Sequence, residues 1–160
     1  IFVLMNVLYI ANLIPPIPLS LKDSGVFHSI TRDDNGDYVV TKEHSSFFDY
    51  FRIYQNIHVA PNSPVFVYSA IFSPSNLNVM IVHEWQKFDE AKNEWTTLSN
   101  ISLPLTGGRE HGYRTFSEKQ FLSSGKWRVD VKTGNDQVIG RVYLRVVEAN
   151  SLPVLEEIYK

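Results

Sequence analysis

Residues Gly107 to Ser117, GGREHGYRTFS, hold an unusual share of the side chains in this chain that could do chemistry. Arg109 and Arg114 offer planar, bidentate donors that match a carboxylate or a phosphate. Tyr113 and Phe116 can stack on a guanidinium or a sugar ring. Gly107 and Gly108 reach backbone angles closed to other residues. Upstream, His83-Glu84-Trp85 adds an imidazole, a carboxylate and an indole, with His83 and Trp85 on one strand face and Glu84 on the other. Arg109, Arg114, Tyr113, His83 and Trp85 are therefore the ligand-binding candidates. The ligand they suit is a glycan, an anionic ligand or a protein partner. The same stretch also reads as a structural corner, and that reading comes first. The glycines make the turn, Gly112 relieves crowding, and the chain re-enters a sheet at Tyr113. Alternation then puts Tyr113, Thr115 and Ser117 on one face, and Arg114 and Phe116 on the other. Phe116 marks its own face as buried, so Arg114 needs acceptors there. Arg109 stays freer for a ligand.

The signatures of catalysis are missing. The sequence has no G-x-S-x-G elbow, no phosphate-binding loop and no dinucleotide fingerprint. His28, His44, His58, His83 and His111 do not pair at metal-ligand spacing. Ser117 joins a triad only by spatial accident, and nothing in the sequence brings Glu84 to Glu110. No catalytic residue, metal or cofactor is assigned. The alternative is a cell-envelope hydrolase, or an accessory to a glycan-binding enzyme, with a rim site of Arg109, Arg114, His83 and Glu84. Convergence of those side chains in a concave pocket favours the enzyme. Dispersal over two faces removes it.

The elements that position these residues read as β-structure. The 160 residues are 44% hydrophobic and 13% aromatic, enough for one domain with a core. A net charge of −2 argues against a nucleic-acid partner. Without cysteine, disulfides and thiolate-ligated metals are excluded. RDDNGD turns the chain between Val26–Thr31 and Tyr38–Lys42. Ser45 to Phe51 reads as a short helix, followed by alternation through Phe51, Ile53, Ile57 and Val59, with Gln55 as the exception. Val65–Ser73, Val79–Phe88 and Trp95–Leu105 read as strands. The last of these puts Trp95, Thr97, Ser99, Ile101, Leu103 and Leu105 on one face. The alternation is cleanest where Trp127, Val129 and Val131 oppose Lys126, Arg128, Asp130 and Lys132. Gln137–Val147 lines one face with Val138, Val142, Leu144 and Val146, and Gly140 marks a bulge or a close neighbour.

The front of the chain differs. IFVLMNVLYIANLI carries no charge, and the first charged residue is Lys22. A span needs about 20 apolar residues, and Pro15-Pro16 ends any helix here. Residues 1–14 therefore read as the end of a transmembrane helix, rather than a core element or a signal remnant. Residues 15–25 follow as a proline-rich connection, 26–148 as an antiparallel, immunoglobulin-like β-sandwich, and 149–160 as a C-terminal tail.

IVHEW, then GGREHGYRTFS, then SGKWRVDVKTGNDQVIGRVYLRVV together resemble the bacterial family called domain of unknown function 2914. His83, Trp85, Gly108, Arg109, Gly112, Tyr113, Arg114, Ser117, Gly125, Trp127, Arg128, Val129 and Gly140 stand where its pattern places them. The resemblance covers Val79 to Val147. It implies a bacterial β domain, in some members preceded by transmembrane helices, and carries no activity. The resulting expectation is a module tethered through its N-terminal helix to the bacterial inner membrane. The β domain would be periplasmic or extracellular, and would bind a ligand or partner without catalysis.

Overall fold

The computed structural model of the chain describes residues 3, 19–44, 52–72, 79–105 and 113–160. Those residues form strands β1 (Ser20–Phe27), β2 (Ser29–Arg32), β3 (Tyr38–Glu43), β4 (Gln55–Val59), β5 (Val65–Phe72), β6 (Val79–Asp89), β7 (Glu94–Leu105), β8 (Tyr113–Lys119), β9 (Gly125–Thr133), β10 (Val138–Glu148) and β11 (Leu155–Tyr159). They make three sheets: β1-β5-β8, β4-β10-β9-β6-β7 and β11-β3-β2. All pairings are antiparallel except β4 with β10, which is parallel. The protein is mainly β, as its alternating sequence predicts.

The β1-β5-β8 sheet is the middle layer. Val65, Val67 and Ile71 pack against Ile81, Trp85, Trp127, Val129, Val142 and Leu144 of the five-stranded sheet. The alternate residues Phe66, Tyr68 and Ala70 pack against Ile30, Tyr38, Val40 and Ile158 of the third sheet. A strand covered on both faces has no polar side to show, hence the unbroken run VFVYSAIF. Trp127 is 1% exposed, and Val129, Val131, Val142, Leu144 and Val146 are buried beside it. Each such side chain contributes about 1.5–3 kcal/mol of hydrophobic stabilisation.

The connection over 15–25 contains most of β1, which pairs with β5 from Ser20. The tail over 149–160 contains β11, whose pairing with β3 is tertiary and leaves no local signature. Two layers were expected and three are present, because β2, β3 and β11 fold over the outer face of β5. Trp95 and Thr97 do not share a face with Ser99, Ile101 and Leu103. Gln86 pairs with Thr97 while Trp85 pairs with Ser99, so Leu98 is an extra residue that flips the strand. Val138 pairs with Lys132 and Gly140 with Val131, so a second irregularity turns Val138 away from the face of Val142. Gly140 is also a close approach, since a Cβ there would lie 2.5 Å from Leu21 Cδ2.

Gln55, the exception in the β4 pattern, bonds the backbone of β1. It donates to the Val26 carbonyl at 2.8 Å and accepts from the Val26 amide at 3.2 Å. The helix read over Ser45–Phe51 lies outside the described residues. So does the stretch Ile1–Ile14 read as the end of a transmembrane helix, Val3 excepted. Among the described residues no helix is long and apolar enough to cross a membrane.

Candidate functional site

The proposed rim residues fall into different layers. His83 and Trp85 sit on the inward face of β6 and are 0% exposed. His83 Nε2 meets Ser69 Oγ of β5 at 2.9 Å, and Nδ1 meets Ser117 Oγ of β8 at 2.8 Å. Trp85 Nε1 donates to the same Ser117 Oγ at 3.0 Å. The two hydroxyls satisfy the imidazole within an otherwise apolar core. Among the described residues no charge offsets it, and burial pushes the His83 pKa down to about 4. His83 is thus a neutral tie between two sheets, closed to solvent.

Tyr113 and Ser117 are buried on the same inward side of β8. Arg114 turns to the opposite side, toward the third sheet. Its Nη1 donates to the Lys160 carbonyl at 2.6 Å and pairs with Asp37 at 3.3 Å. Its guanidinium also lies 5.5 Å from the centroid of the Tyr38 ring. The acceptors that Arg114 was expected to need are therefore a carbonyl and a carboxylate. Both faces of β8 are covered, not only that of Phe116, because β8 belongs to the middle sheet. Arg109, Glu110 and the glycines around them lie outside the described residues.

Glu84 points outward from β6, away from His83. Thr97 Oγ1 donates to it at 2.7 Å, and Gln86 and Lys132 donate to it as well. Burial pushes the Glu84 carboxyl up, but these hydrogen bonds outweigh that effect and hold it below the ordinary carboxylate range. The bond to Glu84 in turn raises the Lys132 ammonium. The structure therefore separates His83, Glu84 and Arg114 into the core, the outer face and the opposite interface.

The outer face of the five-stranded sheet carries a group of residues that was not singled out from sequence. Asp130 on β9 is only 3% exposed, although it points outward. Arg128 Nε and Arg141 Nε lie 3.4 and 3.3 Å from its Oδ1, which nevertheless accepts no hydrogen bond. The Arg128 guanidinium lies 4.6 Å from the Trp95 ring centroid, and its Nε donates to Gln86 Oε1 at 2.5 Å. Tyr143 on β10 stands directly opposite Arg128. Its ring meets those of Tyr54 at 5.5 Å and Trp95 at 6.3 Å, both edge-on. The result is a surface on which guanidiniums are fixed among aromatic rings. Alternation around Trp127 shows Arg128 and Asp130 facing outward. Trp95 was hidden by the Leu98 bulge, and Tyr143 joins only through strand pairing. Among the described residues no group of three or more His, Asp or Glu side chains is placed to hold a metal ion.

Residues 79–146, from β6 into β10, match the family model described as Protein of unknown function (DUF2914). No curated protein matches the chain. Among solved structures, an immunoglobulin-like protein from Pseudomonas aeruginosa is similar at 7% identity, with a TM-score of 0.40. The match covers 81% of this chain and 96% of that one.

Proposed function

We propose that this chain, which over residues 79–146 belongs to the DUF2914 family, is a non-enzymatic binding module of immunoglobulin-like β-sandwich type. The module is held at the bacterial inner membrane by its apolar N-terminal segment. Its β domain lies outside the cytoplasm, and its ligand surface is the outer face of the five-stranded sheet. One observation carries the choice of binding over catalysis. The four-residue rim site required by a hydrolase has His83 in the core, Glu84 outside it and Arg114 in the other interface. General acid–base chemistry needs its groups within hydrogen-bond reach of one substrate atom, and these three do not share a cavity. The uncharged stretch from Ile1 to Ile14 supports the tether.

The test has two arms. Paired reporters fused after Lys160 should be active only on the extracytoplasmic side; activity confined to the cytoplasmic reporter overturns the location. Incubation with cell-envelope material should release no fragments. Release that disappears in Glu84→Gln overturns the binding reading in favour of the hydrolase.

A further inference from the structure

We infer that the outward residues of β9 and β10 bind an acidic polysaccharide, a deepening that rests on the binding-module reading above. Along β10, Arg141, Tyr143 and Arg145 point outward; on β9, Asp130, Arg128 and Lys126 stand directly opposite them. The first pair is an ion pair, at 3.3 Å. The third is not, because Arg145 faces Lys126. Like charges directly opposite on a sheet destabilise it. Lys126 reaches away to Glu90 at 3.0 Å. Arg145 is exposed and makes no hydrogen bond or ion pair with any described residue. The fold gains nothing from this pair, whereas a bound anion would complete it. In a chain of net charge −2, this concentration of cations is local.

The patch is already in order for binding. Arg128 is held by the Trp95 ring and by Gln86, and Arg141 by Asp130. Fixing these side chains in advance removes part of the entropy cost of complex formation. Guanidiniums pair bidentately with carboxylates, and the Tyr143 and Trp95 rings between them offer faces and edges for sugar C–H groups. From Arg141 to Arg145 the row runs about 13 Å along an extended strand. An open row of this kind fits a chain-like ligand, since small molecules prefer concave pockets. An anionic membrane would need only the basic side chains; the Tyr143 and Trp95 rings set among them favour a sugar chain.

The probe is polygalacturonate, with dextran as a neutral control and phosphatidylglycerol vesicles as an anionic membrane. The readout is retardation of the full chain in affinity electrophoresis. Polygalacturonate should retard the protein and dextran should not, with the effect weakening as salt is raised. Arg145→Ala should weaken retardation about tenfold and Arg145→Glu more, both with melting temperatures preserved; Tyr143→Ala should weaken it about tenfold as well, with a lower melting temperature from the lost contacts to Tyr54 and Trp95. No retardation of the folded wild type overturns the ligand class. Wild-type retardation of Arg145→Glu overturns the site. Binding to the vesicles while polygalacturonate is ignored assigns the patch to a membrane instead. New reducing ends released from polygalacturonate would contradict the underlying binding reading, whatever the variants do.

Discussion

His83 shows how a residue with catalytic potential is put to structural use. Its two ring nitrogens are met by serine hydroxyls from the middle sheet, and no carboxylate among the described residues is paired with it. Its folded pKa of about 4 lies below the ordinary 6.5. Between those values the unfolded chain binds a proton that the folded chain refuses. The contribution of His83 to stability is therefore full above pH 6.5 and is lost as pH falls toward 4. The whole shift is worth about 3 kcal/mol. Melting temperatures should drop across this window, and His83→Gln, though less stable at pH 7, should show a shallower drop. An equally steep drop in the variant would contradict the assignment. From sequence, His83 and Trp85 were legible as sharing one strand face. That the face is the sealed one was not, because the serines that complete it lie on other strands.

At the level of elements, the strands were largely legible and their irregularities were not. Alternation placed Trp127, Val129 and Val131 inward, because those positions obey one periodicity without interruption. In β7 one residue, Leu98, breaks the period, and everything before it changes face. Nothing in WTTLSNIS marks that position, since the bulge is defined by the partner strand β6. Gly140 was legible because only glycine tolerates what happens there. β1 crosses β10 so closely that a Cβ would meet Leu21 Cδ2 at 2.5 Å and Cβ at 2.9 Å. Gly140→Ala should therefore destabilise the protein by about 1–3 kcal/mol, the usual cost of overpacking. Chemical denaturation would measure it. An unchanged midpoint would show that β1 can shift aside, and that its pairing with β5 does not fix its distance from β10.

The whole molecule is organised by which surfaces it covers. The third sheet seals the outer face of β5 with Tyr38, Val40 and Ile158, and β11, which alternation failed to announce, completes that sheet. Arg114 is used up in the seal through the Lys160 carbonyl. The outer face of the five-stranded sheet carries its fixed guanidiniums and aromatic rings instead. In the sequence, chemistry-bearing residues stand adjacent in the glycine–arginine stretch, and that is where a site is legible. The surface that brings together Arg128, Asp130, Arg141, Tyr143 and Arg145 becomes visible only once β9 and β10 are paired. Titration of the isotopically labelled full chain with an oligogalacturonate, followed by amide NMR, tests this directly. Shifts should concentrate on Lys126, Arg128, Arg141, Tyr143 and Arg145, with Ser69, His83 and Ser117 unmoved. Shifts centred on Tyr113 and Arg114, or none anywhere at saturating ligand, would contradict it.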